Sequence, residues 1–370
     1  MSFSERVLKN TERALYRLRD LYQSYGYARY KVSKFEEYDL YAHNKSFLIS
    51  EHVLTFTDTN GKLMALKPDV TLSIVKNAKW QKGCVQKVYY NENVYRISRS
   101  THAFEELMQA GLECIGDLDA AQLCEVTLLA TQSLKKVSDD FVLDISHMGI
   151  VSAMMDKMAL SADAQTELLA ALSEKNMHGA RAVCRENEVD EDSCERVLQL
   201  IKTYGPIEET LPALRALCAD LPVADALYEL ETIAKVLALN GFAAQTRLDF
   251  SVVHDIHYYS GIVFQGFVDG IPSSILIGGQ YDRLLRKMGK SGGAIGFAVY
   301  LDLLERLHRE SRDHDVDILC LYTDRDDPAA LSAAVRAWNE QGKSVLLQRE
   351  IPAQMRFGEI VRFTSGGEEK

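Results

Sequence analysis

The stretch from Leu248 to Phe267, LDFSVVHDIHYYSGIVFQGF, constrains this chain more than any other. Leu248, Phe250 and Val252 alternate with other residues, and Ile262, Phe264 and Phe267 resume an apolar pattern after Gly261. The text therefore reads as strand, interruption, strand. The interruption is a polar knot containing His254, Asp255, His257, Tyr258, Tyr259 and Ser260. Adjacent tyrosines on an extended chain point to opposite faces, so one is expected to pack and the other to reach a ligand.

The rest of the chain bounds the setting. Its 370 residues suffice for two or three domains with a sizeable core. A hydrophobic content of 47% and a charged content of 26% are ordinary for a soluble globular protein. No apolar run approaches the ~20 residues of a membrane span, and the amphipathic start, MSFSERVLKNTERALYRLRDLY, lacks the core of a signal peptide. The seven cysteines include no CxxC pair, which points to a reducing, cytoplasmic setting rather than a disulfide framework. A net charge of −11 argues against a nucleic-acid partner, because gripping a phosphate backbone calls for a basic face.

In order, the chain opens with a helix over residues 4–25 that stops at Gly26, its apolar stripe formed by Leu8, Leu15, Leu18 and Leu21. VLTFTDTNGKLMAL predicts a hairpin turning at Asn60-Gly61. Lys67-Pro68-Asp69-Val70-Thr71 then leads into a helix, with Asp69 or Thr71 available as its cap. VYYNENVYRISRSTHAFEELMQAGLECIG predicts two antiparallel strands, with Gln109 and Glu113 on one face. A glutamate among apolar neighbours is costly to bury without a partner; the alternative is that Glu113 lies on a solvated face. A helix over 117–137 and a strand over 141–145 follow. Residues 150–240 are rich in Ala, Leu and Glu and poor in aromatics, which predicts a helical insertion. Beyond Phe267 come a turn at Asp269–Pro272, a glycine pair before Gln280-Tyr281-Asp282, and a glycine-rich strand, GGAIGFA. The last 55 residues or so read as a small βαβ unit: strand 316–321, a helix from Asp327-Pro328 to Gly342, and strand 345–347, ahead of a polar tail. His254 and His257, with Asp249 nearby, invite a metal reading, but no third ligand has useful spacing, so no metal is expected.

These motifs, in this order, resemble the histidyl-tRNA synthetases, which are class II aminoacyl-tRNA synthetases. The tyrosine pair with Gly261, Val263 and Phe264 is similar to their histidine-binding signature, and YARYKVSKFEEYDLYA to their first, dimer-forming signature, with Ser33 where a proline is usual. Asn93-Val94-Tyr95-Arg96 and MQAGLECIG resemble the second signature, and Gly292–Ala298 the third. The resemblance covers about residues 1–310. It implies an α+β fold: a class II synthetase-like antiparallel sheet flanked by helices (1–149 and 241–310), a helical insertion (150–240), and a small, truncated α/β C-terminal unit (311–370). It also implies a histidine pocket. Gln109 and Glu113 would read the ring, Asp69 and Thr71 the amino group, and Arg96 with Tyr258, Tyr259 and Tyr281 would enclose the remainder.

The departures from the synthetases are selective. Two ATP-facing arginines are replaced, by His254 and Leu303; the acidic residue after Arg96 is Ser98; and the ATP-clamping loop is RSTHAFEE. The insertion, which contacts tRNA in synthetases, is acidic here at Glu188–Asp192 and reads as a packing module. A kept amino-acid pocket with degraded ATP contacts resembles the family of regulatory subunits of ATP phosphoribosyltransferase. That resemblance implies a non-catalytic, cofactor-free subunit, a homodimer within a hetero-oligomer with the short-form catalytic subunit. Free L-histidine would be its effector, in the first step of histidine biosynthesis. The alternatives are a divergent histidyl-tRNA synthetase and a stand-alone amino-acid ligase.

Overall fold

Two thirteen-residue strands, Val85–Ile97 and Phe104–Gly116, pair antiparallel along their full length and form the spine of the protein. The structure, a computed structural model, describes residues 8–48, 53–79, 81–98, 101–253, 258–306 and 314–364. The chain divides into two compact units, Met1–Leu307 and His308–Lys370.

In the first unit, helix α1 (Asn10–Ser24) buries Leu15, Leu18, Leu21 and Tyr22 and ends before Gly26, whose φ of 80° suits a residue without a side chain. Strand β1 (Ala28–Arg29) is followed by a small three-stranded sheet: β2 (Phe35–Glu37), then helix α2 (Tyr38–Ala42), β3 (Thr55–Thr57) and β4 (Leu63–Leu66). The β3–β4 hairpin turns differently from the Asn-Gly expectation. Gly61 N–H donates to the Asp58 carbonyl, and the Asp58 carboxylate accepts from Asn60 and Lys62 N–H at 2.8 Å. Asp58 thus initiates the turn, and Gly61 supplies its left-handed exit.

Helix α3 (Thr71–Asn77) leads to the two long strands, β5 and β6, and then to α4 (Ala120–Val137). Helix α4 begins later than expected because Asp119 is its cap and Gln122 completes a capping box. Strand β7 (Phe141–His147) opens a run of helices: α5 (Met148–Met158), α6 (Ala162–Ser173), α7 (Met177–Glu186) and α8 (Glu191–Lys202). The short strand β8 (Tyr204–Pro206), α9 (Ile207–Leu217) and α10 (Ala224–Leu239) complete it. Strands β9 (Thr246–Asp249), β10 (Ile262–Val268) and β11 (Leu276–Gln280), helix α11 (Asp282–Lys287), strand β12 (Gly293–Tyr300) and a 3-10 turn over Leu301–Arg306 end the unit.

Among the described residues the main sheet has nine strands, in the order β1-β5-β6-β12-β11-β10-β7-β9-β8. Its centre is antiparallel, but β1–β5 and β7–β9 are parallel pairs. A parallel pair needs a long crossover, and the helices from α5 to α10 make the one between β7 and β9. The helical segment is therefore continuous with the sheet's architecture, and its Leu168, Leu198 and Leu230 belong to the same apolar cluster as Leu18, Leu112 and Leu129. A second cluster, with Tyr41, Leu72, Val94 and Tyr281, lies around α2 and α3.

In the second unit, β13 (Val316–Leu321) is the centre of a parallel three-stranded sheet, flanked by β14 (Val345–Gln348) and β15 (Phe357–Arg362). Helix α12 (Pro328–Glu340), capped by Asp327, packs Leu331 and Trp338 against it. The third strand exceeds the βαβ reading; its signal was the run Phe357-Gly358-Glu359-Ile360-Val361. The polar tail beyond residue 364 lies outside the described residues. No described helix is long and apolar enough to cross a membrane.

Candidate functional site

Eight side chains singled out in the sequence, Asp69, Thr71, Arg96, Gln109, Glu113, Tyr258, Tyr259 and Tyr281, line a single cavity on one face of the main sheet. Each arrives by a different local device. Gln109 and Glu113 sit four apart on β6 and so share a face. Arg96 comes from the partner strand β5, while Asp69 and Thr71 stand at the start of α3. Tyr281 follows β11, held there by its N–H on the Ala294 carbonyl at 2.8 Å. Tyr258 and Tyr259 precede β10. Both line the cavity: their backbone is not extended strand, so the two-residue alternation that could have sent one of them to pack elsewhere does not apply. Their rings meet edge-on at 4.6 Å, and Tyr281 lies 5.8 Å from Tyr258.

Glu113 is the chemical centre. It is 2% exposed, so the solvated-face alternative fails. The Thr71 hydroxyl donates to its Oε1 at 2.8 Å, and the Tyr281 hydroxyl donates to its Oε2. Burial pushes its carboxyl up to about 8 against the pull of those two hydroxyls, and the neighbouring Asp69 adds to the rise. Gly296, its register partner on β12, makes room: a Cβ there would overlap Glu113 Oε2. Thr71 thus serves the carboxyl directly.

Asp69 combines both roles considered for it. Its Oδ1 accepts the Leu72 N–H at 2.8 Å, capping α3, and it lines the cavity. Burial raises its carboxyl above the ordinary aspartate range, opposed by the Leu72 N–H and by Arg96. Arg96 donates from Nε to the Pro68 carbonyl at 2.9 Å and from Nη1 to the Tyr300 hydroxyl at 3.3 Å.

The sequence reading missed other lining residues, among them Tyr90, Ile277, Ala298 and Tyr300. Tyr90 lies opposite Gly111 in the β5–β6 register, and its hydroxyl would be 2.5 Å from a Cβ at that glycine. A tyrosine facing a cross-strand glycine was the available signal. Tyr300 continues the two-residue alternation from Gly296 and Ala298.

Residues 254–257 lie outside the described residues, so His254 and His257 are not placed. Asp249, the third member of the metal reading, is engaged elsewhere: it accepts from Lys175 Nζ at 2.8 Å and from Ser251 N–H at 2.8 Å. Leu303 packs against the main apolar cluster. A wider hollow, ≈ 540 Å³ against ≈ 50 Å³ for the cavity around Glu113, lies between α9 and α10. It is an open groove with rim charges such as Glu231, which Arg215 already holds. The convergence of buried polar groups, not size, marks the Glu113 cavity as the site.

The sequence pattern of the histidyl-tRNA synthetase family matches residues 3–304. A protein named ATP phosphoribosyltransferase regulatory subunit from Caldanaerobacter subterraneus subsp. tengcongensis is 29% identical over 303 residues, covering 80% of this chain and 78% of the relative. One of the same name from Clostridium kluyveri is 27% identical over 328 residues, covering 86% and 84%. In fold, the chain is similar to a crystal structure of an ATP phosphoribosyltransferase regulatory subunit/histidyl-tRNA synthetase from Bacillus halodurans. The TM-score is 0.75 at 23% identity, over 95% of this chain and 93% of that one. With four-fifths of its length matched by one family pattern, and with that family's fold, this chain belongs to the histidyl-tRNA synthetase family.

Proposed function

We propose that this chain is the non-catalytic regulatory subunit of an ATP phosphoribosyltransferase, and that the Glu113 cavity is its sensor for free L-histidine. The observation that carries the reading is Glu113 itself. A buried carboxyl bonded, among the described residues, by two hydroxyls and lying beside a second, half-buried acid is an unfavourable arrangement on its own. A ligand bringing a basic ring and an ammonium group relieves both. Glu113 and Gln109 suit the two ring nitrogens, Asp69 with Thr71 the ammonium, and the Arg96 fork the carboxylate, with the three tyrosines forming walls.

Nucleotide chemistry is poorly served. Adenylation needs cations fixed around the developing charge on a phosphate, and losing one such contact costs about 10²–10³ in rate. Among the described residues lining the cavity, Arg96 is the sole cation, and Leu303, half-buried, packs against the apolar core. The names of the sequence relatives support the same reading. In this role the chain associates with a short-form catalytic subunit and sustains its activity. Histidine, the end product of the pathway, inhibits by favouring one state of the complex over another. A homodimer within that assembly is supported by the small sheet, where Phe35 and Phe56 meet edge-on at 5.1 Å while 47% and 39% exposed.

The test is to mix the purified chain with its cognate short-form catalytic subunit and measure phosphoribosyl-ATP formation with and without histidine. Co-elution on a sizing column, a gain in activity and inhibition by histidine are expected. Failure to co-elute or to alter activity refutes the regulatory reading. Histidine-dependent pyrophosphate exchange at ordinary synthetase rates establishes a ligase instead.

A further inference from the structure

We propose that Tyr300 is a specificity determinant: it restricts this pocket to an amino acid with a free carboxylate by filling the space into which any group attached to that carboxylate would extend. The inference rests on the histidine-pocket reading and adds to it what the pocket refuses.

Tyr300 is the last residue of β12 and pairs in register with Gln109. Gly296 and Ala298, four and two positions earlier, share its face of the sheet and present almost no side chain. Tyr300 is therefore the first bulky group met along this row from Glu113. It stands at the half-buried margin of the cavity, at the Arg96 end. Arg96 is gripped from two directions, by the Pro68 carbonyl at 2.9 Å and by the Tyr300 hydroxyl at 3.3 Å, and the Tyr300 ring centre is 5.9 Å from the guanidinium carbon. The guanidinium orientation is thereby fixed before a ligand arrives, and Tyr300 occupies the flank of whatever carboxylate it meets.

Asp302 accepts the Met108 N–H, tying the chain after Tyr300 to β6 beside Gln109. An anionic extension such as a phosphate would meet the tyrosine ring at this margin, with no described cation lining the cavity except Arg96.

The experiment is isothermal titration of the full chain with L-histidine and with L-histidine β-naphthylamide, which keeps the ring and amine and extends from the carboxyl carbon. Wild type should prefer histidine. Tyr300→Ala should shift the ratio of the two dissociation constants toward the naphthylamide by about tenfold or more, the size of effect expected from opening a packed wall. Tyr300→Phe keeps the ring and should leave the ratio within about twofold, while weakening histidine a few-fold through the lost Arg96 bond. An unchanged ratio in Tyr300→Ala, or equal affinities in wild type, overturns the inference while leaving the histidine reading intact. If Tyr300→Ala does not fold, the wild-type ratio and Tyr300→Phe still decide. No binding of histidine to wild type refutes the underlying reading and this inference with it.

Discussion

Replacing Glu113 by glutamine should stabilise the unliganded protein and damage its purpose. In the folded state the carboxyl holds its proton to about pH 8, against an ordinary value of 4.5. Between these values the folded chain carries a proton that the unfolded chain has lost, so stability falls as pH rises through this window and levels off above it. Each pH unit is worth about 1.4 kcal/mol. Glu113 therefore withdraws about 3 kcal/mol at neutral pH and about 5 kcal/mol above pH 8. Glutamine cannot ionise and has the same shape, accepting from one hydroxyl and donating to the other. The difference in unfolding free energy, Glu113→Gln minus wild type, should be near zero at about pH 4.5 and grow in favour of the variant up to about pH 8. Urea unfolding followed by far-ultraviolet circular dichroism across that range measures it. Groups away from the cavity titrate alike in both proteins and cancel, and the coupling to Asp69 is part of the difference measured. A difference that does not change with pH refutes the claim that Glu113 is neutral in the empty pocket. The same variant should bind histidine more than about tenfold more weakly, because removing one partner of a buried charged contact costs roughly 2–5 kcal/mol.

Two further outcomes follow from packing. Gly296→Ala places a methyl group against Glu113 Oε2 and the Leu112 carbonyl, and overpacking of this kind costs about 1–3 kcal/mol; thermal melting should register that loss, and calorimetry the loss of histidine binding. Phe56→Asp removes an exposed ring from the small sheet, so sedimentation should show a shift from dimer toward monomer while circular dichroism stays unchanged. A stable dimer in that variant would exclude this face.

The site was legible from sequence because its residues are tied to short, regular devices. A four-residue spacing on a strand places Gln109 and Glu113 on one face whatever surrounds them. Asp69 caps a helix, and the cap position fixes where Thr71 points. What escaped notice depends on pairing between distant segments. Tyr90 reaches the cavity because Gly111 lies across from it, and Glu113 is accommodated because Gly296 does, and neither register is visible within a single stretch. The parallel pairs at the sheet's margins were hidden for the same reason. Alternation within β7 and β9 is the same for either direction, and the long helical crossover between them is what makes them parallel. Tyr258 and Tyr259 were placed in the pocket by the motif resemblance; two-residue alternation could not have placed both, because their backbone is not yet a strand.

A neutral carboxyl at the centre of the site also suits the proposed sensor role. Under the histidine reading, the ring arrives with an ordinary value of about 6.5 and meets a carboxyl that titrates at about 8. Between these values the free ring is neutral and Glu113 is protonated, so the bound pair can share one proton without exchanging any with solvent. Below the window binding must expel a proton, and above it binding must take one up, and each change weakens affinity by about tenfold per pH unit. On this reading occupancy depends least on pH between those two values, where it follows the concentration of histidine. In the proposed pose the polar groups Glu113 and Gln109 meet the ring, while the carboxylate end would be closed by Tyr300 and held by Arg96.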